Sequence, residues 1–147
     1  DATGWVVVEL EKALPLTGMS IWNYPGTDHL VRSVRTADIY ASTSSAVDPA
    51  NADFSDGNWS LVHDDVALQQ AVADNFNLSR DLAFNETSAK YIGIDITSTH
   101  GSDSYSGLGE VRIFAIPEPA TVALLAIGTV LLGRHVARRS TATRQAR

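Results

Sequence analysis

The sequence AKYIGIDIT, residues 89–97, shows the most regular alternation of side chains in the chain. In an extended strand, successive side chains point to opposite faces, so Ile92, Ile94 and Ile96 share one face while Gly93 and Asp95 share the other. An apolar period of two is typical of a strand with one face against a core. We therefore predict a strand here, with the three isoleucines inward and Asp95 outward.

Similar but shorter apolar stretches lie on both sides of this strand. We predict further strands over residues 4–10, 16–24, 34–42, 59–62, 80–84 and 109–116, and a strand or one helical turn within 64–74. Polar segments rich in Ser, Asp, Asn, Gly and Pro separate them, at 25–32, 43–58 and 98–107. Short strands between turns, with no long helix, predict an all-β antiparallel sandwich of the jelly-roll type over residues 1–116.

The sequence predicts burial for the first of these strands and for the three tryptophans. Residues 4–10, GWVVVEL, are apolar enough to predict a mostly buried strand. The three tryptophans, Trp5, Trp22 and Trp59, all lie in or beside predicted strands. Core packing is therefore the expected role of their rings, rather than stacking on a ligand.

The C-terminal stretch is organised differently. Residues 119–133 carry no charge, and the chain continues with five arginines and no acid, at Arg134, Arg138, Arg139, Arg144 and Arg147. An apolar run that stops at an arginine cluster is typical of a membrane anchor. A helix over 119–133 would be roughly 22 Å long against a hydrocarbon core of about 30 Å, so the anchoring is marginal. We predict a transmembrane helix at 119–133 with a basic cytoplasmic tail at 134–147; a buried core helix is the alternative.

Charge is divided between the two ends of the chain. Residues 1–133 carry a net charge of −11, and residues 134–147 carry +5. This asymmetry favours an orientation with the acidic domain outside the cell and the tail in the cytoplasm. An acidic domain is poorly suited to phosphate backbones, so no nucleic-acid partner is expected. The chain contains no cysteine, which excludes disulfides and thiolate metal sites.

The end of the chain resembles a known sorting signal. Pro117, Glu118 and Pro119, the apolar run and the arginine cluster occur in the order of the PEP-CTERM signal, over residues 117–139. The resemblance implies a bacterial envelope protein, exported and anchored by a single pass with its domain outside. It also implies an exosortase as partner, a membrane protease that would act near the motif and release the domain to the surface or matrix.

The preceding residues resemble discoidin-like, or galactose-binding-like, domains. The similarity rests on WVVVEL (5–10), IWNY (21–24) with Arg32 and VRTADIYAST (34–43), NWSLV (58–62), AKYIGIDI (89–96) and GLGEVRIFA (107–115). It implies a jelly-roll-like sandwich that binds sugars, lipids or proteins at loops on one end, and one structural calcium with Glu110 as a ligand. The family's first strands have no counterpart here, so we expect a partial domain cut from a longer, exported precursor.

Two polar loops offer the groups that sugar binding requires. A sugar site needs an aromatic face for the C–H side of the ring and a few polar groups for its hydroxyls. Residues 24–32 supply Tyr24, His29 and Arg32, and residues 100–107 supply His100 and Tyr105. Taken alone, a side chain of this kind is more often structural or merely solvated than a ligand contact, and Arg32 could instead pair with one of many acids.

A hydrolytic function finds little support in the sequence. The chain contains neither G-x-S-x-G nor H-E-x-x-H, and the run His63-Asp64-Asp65 has no second histidine nearby. We therefore expect a non-catalytic, surface-displayed module that binds glycan, exopolysaccharide or extracellular matrix. Two alternatives remain open: the C-terminal part of a larger secreted hydrolase, and a structural matrix protein without a discrete ligand.

Overall fold

A computed structural model describes residues 1–26, 29–72 and 79–116. Within it, Asp1–Ile116 form one compact unit. The predicted features of the C-terminal stretch lie outside the described residues and stay predictions; they are Pro117, Glu118 and Pro119, the helix at 119–133, and the basic stop at Arg134, Arg138 and Arg139. No helix among the described residues has the length and apolar character needed to cross a membrane.

The described unit is an antiparallel β-structure, as predicted. Its elements are β1 (Gly4–Asn23), a short 3-10 helix (Leu30–Arg32), β2 (Val34–Ser42), β3 (Ser60–Ala67), β4 (Ser79–Thr99) and β5 (Leu108–Ala115). The strands hydrogen-bond in the order β3-β2-β4-β1-β5. The predicted bounds of β2 are correct at both ends. The segment from residue 64 onward continues as strand to Ala67, which favours the strand alternative over the helical turn.

Two long strands replace four predicted short ones. β1 has 20 residues and β4 has 21, so the separations predicted between 4–10 and 16–24, and between 80–84 and 89–97, are wrong. Glu9 lies opposite Tyr91 and Leu14 lies opposite Ala89, so four residues of β1 face a single residue of β4. Extra residues of this kind bend a strand without ending it. Continued pairing with the neighbouring strand therefore overrides the local break in pattern.

The bend divides the sheet into two halves that share one core. In the first half, the start of β1 pairs with the end of β4, the end of β4 pairs with β2, and β2 pairs with β3. In the second half, the end of β1 pairs with the start of β4 and with β5. Ile92 and Ile94 from the first half and Met19 and Ile21 from the second belong to the same buried cluster. The predicted inward face of residues 89–97 is thus confirmed. The Nε2 atom of His63 on β3 lies 2.9 Å from the carbonyl oxygen of Ala83 in the second half, so the two halves also contact each other at an exposed position.

The loop between β2 and β3 (residues 43–59), which we call the covering loop, lies over part of the outer face of the first half. Val47 and Trp59 pack with Tyr91 in a second, smaller apolar cluster that also contains Phe54. The Phe54 ring stacks on Tyr40, with centroids 4.7 Å apart and ring planes 11° apart. Phe54 also occupies the space above Gly93, where an added Cβ would lie 2.2 Å from its Cε1 atom. Because Gly93, on the outward face of β4, has no side chain, the loop can lie flat on the sheet.

The tryptophans do not share one environment. Trp59 is buried, as predicted, and Trp22 is half-buried with the Arg112 guanidinium 4.8 Å above its ring. Trp5, however, is 40% exposed and Val6 is also exposed, so the prediction of a mostly buried strand over residues 4–10 is wrong. The reason is positional: β5 pairs with β1 only from Leu16 onward, so the first part of β1 has β4 as its only described strand neighbour.

Candidate functional site

Two of the loops lie side by side at one end of the sheet. The loop after β1 (residues 24–26 and 29–33) and the loop after β4 (residues 100–107) together form what we call the loop surface. The amide of Gly107 donates to the carbonyl oxygen of Arg32 at 3.0 Å, and the amide of His100 donates to that of Ser33 at 3.0 Å. These backbone bonds bring together the two segments from which the sequence predicts a ligand site.

The centre of the loop surface is an arginine stacked on a tyrosine. The Cζ atom of Arg32 lies 4.7 Å from the centroid of the Tyr105 ring, within the range of a cation–π contact. Tyr105 is nevertheless 62% exposed, so most of its ring remains open to solvent. Tyr24 is half-buried alongside, with its Cβ and Cγ atoms against Gly107. Three of the five predicted ligand residues therefore converge.

A buried amide fixes the base of the first loop. The Nδ2 atom of Asn23 donates to the carbonyl oxygens of Val34 and Gln69 at 2.7 and 2.8 Å. Its Oδ1 atom accepts from the amides of Val34 and Tyr24 at 2.7 and 3.2 Å. With 6% exposure, Asn23 uses both its donors and both its acceptor positions inside the protein. The end of β1 is thereby held against the start of β2.

A buried serine fixes the second loop. The Oγ atom of Ser102 accepts from the amides of Ser104 and Tyr105 at 3.4 and 3.1 Å. Its carbonyl oxygen accepts from the Thr99 hydroxyl and from the amide of Ala2, both at 2.7 Å. Ser102 therefore positions the backbone that presents the Tyr105 ring. Sequence reasoning missed both Ser102 and Asn23, because a polar residue in a loop or at the end of a strand gives no sign of being buried.

The two histidines of the loop surface differ in their surroundings. The Nε2 atom of His100 lies 2.9 Å from the carbonyl oxygen of Leu68, so the ring is half-buried and engaged with the backbone of the segment after β3. His29 is exposed and precedes the short 3-10 helix. The structure thus gives His100 a packing role within the protein, and the ligand roles of both histidines remain predictions.

Glu110, the predicted calcium ligand, already has a cationic neighbour. The Nε atom of Arg112 donates to its Oε1 atom at 2.7 Å, and both side chains are exposed. Across residues 1–26, 29–72 and 79–116, no three His, Asp or Glu side chains are grouped closely enough to hold a metal ion together. A calcium ion at Glu110 would have to replace the arginine contact and draw its other ligands largely from backbone carbonyls. The calcium site stays a prediction.

Known proteins resemble both parts of the chain. A family model described as Sad1/UNC-like C-terminal matches residues 1–117, and a model of the PEP-CTERM protein-sorting motif matches residues 115–140. The second match confirms the sorting motif predicted around Pro117–Pro119. No curated protein sequence matches the chain.

One solved structure with a similar fold is the family 32 carbohydrate-binding module of EndoD from Streptococcus pneumoniae. It aligns with a TM-score of 0.50 and 15% sequence identity, over 78% of this chain and 70% of that one. At this identity the likeness concerns the fold alone, and it confirms the predicted discoidin-like, jelly-roll-like architecture. Since the first family model spans every described strand, the chain belongs to the Sad1/UNC-like C-terminal family and carries a PEP-CTERM sorting motif after that domain.

Proposed function

We propose that this chain is a non-catalytic, surface-displayed module that binds glycan or exopolysaccharide through the loop surface. The observation that carries the proposal is the Tyr105 ring, which is stacked on Arg32 and still 62% exposed. An open aromatic ring beside hydrogen-bond donors is the combination that a sugar ring requires. The similarity in fold to a carbohydrate-binding module supports this class of ligand.

The proposed binding mode follows from the loop geometry. The open side of the Tyr105 ring receives the C–H face of a sugar, and the Arg32 guanidinium donates to its hydroxyls. Tyr24, against Gly107, limits how far the sugar can slide along the surface. Because Asn23 and Ser102 already fix both loops, little ordering entropy is lost on binding.

A glycan array probed with the full chain tests this proposal. We expect Tyr105→Ala to weaken binding to the best glycan by about tenfold, equivalent to about 1.4 kcal/mol. Phe114→Ala is the matched control, because Phe114 is an aromatic residue with 47% exposure on β5, outside the loop surface. Equal binding by the wild type and Tyr105→Ala would contradict the site. Binding to no glycan at all would instead favour a structural matrix protein.

The sorting motif supports a location in the cell envelope, and we propose the finer details of that route. In this proposal residues 119–133 span the membrane, Arg134, Arg138 and Arg139 remain in the cytoplasm, and an exosortase cleaves near Pro117–Pro119. A reporter that carries a leader peptide and residues 116–147 should enter the membrane fraction and be released only in a host with an exosortase. A reporter that stays soluble in the cytosol would contradict the anchor.

A bound calcium ion is a further proposal of the same kind. If Glu110 is a ligand, calcium should raise the melting temperature of the wild type and leave that of Glu110→Gln unchanged. Glu86→Gln is a suitable control, because Glu86 is an exposed carboxylate in the bulged part of β4. An identical calcium response in all three proteins would remove Glu110 from the site.

A further inference from the structure

A second groove lies on the outer face of the sheet, where the covering loop ends. Trp5, Tyr40, Asp53, Phe54 and Asp95 line this outer groove, which has a volume of about 420 Å³. It is made by a different part of the chain from the loop surface: its floor is the sheet, and its rim is the loop between β2 and β3. Neither the family match nor the sequence predictions assign a role to it.

Aromatic side chains form the walls of the outer groove. Phe54 is held on one side, because it stacks on Tyr40 and meets the edge of the Trp59 ring, with centroids 5.0 Å apart. Trp5 lies on β1, directly opposite Asp95 on β4 in the strand register. With 40% of its surface exposed, Trp5 leaves part of its indole ring open to solvent.

The floor of the outer groove is a carboxylate without a partner. No described residue donates a hydrogen bond to Asp95 or forms an ion pair with it. Its cross-strand neighbour on β2 is another acid, Asp38, whose Oδ1 atom accepts from the amide of Asp65 at 2.8 Å. Burial, followed by the negative charge of Asp38, raises the pKa of Asp95 above its ordinary value. Like charges on directly opposed strand residues are destabilising, so a cation held between Asp38 and Asp95 would relieve their repulsion.

Asp53 adds to the negative charge at the rim of the same groove. It is exposed, and hydrogen bonds from the Ser55 hydroxyl and amide, at 2.6 and 2.9 Å, lower its pKa, so it is ionised at neutral pH. Among the residues that the structure describes, no arginine or lysine lines the groove. The outer groove therefore combines an open indole ring with carboxylates, whereas the loop surface combines an open phenol ring with a guanidinium.

We propose that the outer groove binds a protonated amino sugar, with the sugar ring on Trp5 and the ammonium group between Asp95 and Asp38. An ammonium group is attracted both by the carboxylates and by the indole face, since tryptophan is the strongest aromatic partner for cations. A sugar ring that carries its ammonium group on an equatorial substituent can contact the Trp5 ring and the Asp95 carboxylate at the same time. This inference rests on the proposed glycan-binding function but uses a separate site, so the two can fail independently.

Binding of a glucosamine hexamer to the full chain, measured by calorimetry, tests the outer groove. We expect Asp95→Asn and Trp5→Ala each to weaken binding by about tenfold or more, since each removes a charge-assisted or aromatic contact. The N-acetylglucosamine hexamer, which has the same ring without the charge, should bind weakly to the wild type and to both variants. Thermal melts of each variant establish whether the fold is intact; we expect it to be, because Trp5 is 40% exposed and Asp95→Asn keeps the side-chain shape.

Three controls separate this site from its alternatives. Glu11→Gln removes an exposed carboxylate from β1 outside the groove and should leave hexamer binding unchanged. Unchanged binding in Asp95→Asn and Trp5→Ala, equal losses in Glu11→Gln, or equal affinity for the acetylated hexamer would each overturn the proposal. Pentalysine that binds as tightly as the hexamer, with the same dependence on Trp5, would overturn the sugar as occupant in favour of a cationic peptide.

Discussion

The loop surface and the outer groove both present an aromatic ring, but they differ in how their polar groups are satisfied. In the loop surface, Asn23 and Ser102 have their hydrogen-bonding atoms engaged, and Arg32 rests on Tyr105. In the outer groove, Asp95 faces another acid and receives no hydrogen bond from any described residue. One surface is thus organised by hydrogen bonds within the protein, whereas the other carries unbalanced charge. A ligand of the proposed kind would add contacts to the first and relieve repulsion in the second.

The largest effect should come from the base of the loop surface. Asn23→Ala would leave the backbone amide and carbonyl of Val34 buried without partners. We expect the free energy of unfolding to fall by roughly 2–4 kcal/mol, measured by urea denaturation. Asn51→Ala, which removes an exposed amide bonded only to Asp48, should cost far less. Similar losses in both variants would show that burial of the amide is not what matters.

The next largest loss of stability is expected from a substitution at the wall of the outer groove. In Gly93→Ala the new methyl group would collide with Phe54, and the ring would have to leave its place on Tyr40. We expect a loss of roughly 1–3 kcal/mol in the free energy of unfolding, as for overpacked sites. Near-ultraviolet circular dichroism should report the changed stacking of Tyr40 and Phe54. Unchanged spectra and stability would mean that the loop does not lie on the sheet as described.

A smaller loss is expected at the second loop. Ser102→Ala removes the hydroxyl that accepts from the amides of Ser104 and Tyr105, so we expect a cost of about 1 kcal/mol in stability. Glycan affinity at the loop surface should fall with it, while glucosamine hexamer binding in the outer groove should not. Ser104→Ala is the comparison, because no hydrogen bond involves its hydroxyl as acceptor or donor in the described loop. A drop in both affinities would show that the two surfaces are coupled.

The smallest predicted effect is a gain in the free energy of unfolding, in Asp95→Asn. Because the pKa of Asp95 is raised by burial and by Asp38, ionisation of Asp95 costs the folded state more than the unfolded state. The penalty is absent below the ordinary aspartate pKa of about 4 and fully present above the raised pKa, so stability falls as pH rises between them. Asp95→Asn should remove this part of the pH dependence and be more stable than the wild type at neutral pH. Urea denaturation at a series of pH values measures it, and a less stable Asp95→Asn would contradict the account.

The sequence predicted the fold class but not the path of the chain. Alternation along residues 89–97 identified the inward isoleucines, because a strand with one buried face has apolar residues at every second position. The continuity of β1 and β4 could not be predicted in this way, since it depends on pairing across a bulge rather than on local pattern. Trp5 was expected in the core because its neighbours are apolar, but exposure depends on which strands lie alongside.

The candidate sites show the same limit. Tyr24, Arg32 and Tyr105 could be named from their loops, because aromatic and cationic residues in loops are the usual ligands for sugars. The engagement of His100 by a distant carbonyl could not be foreseen. Alternation predicted the outward direction of Asp95 but not that of Trp5, and their juxtaposition requires the register between β1 and β4. That register was the missing signal for the outer groove.

The length of β1 has a consequence for how this domain comes apart. Trp5 stands near its first residue and Asn23 is its last, so one strand both lines the outer groove and holds the base of the loop surface. Neither half of the sheet can melt without withdrawing pairing partners from the other. Heating should therefore abolish both binding activities in one cooperative, all-or-none transition, with no half-folded species that keeps only one of them.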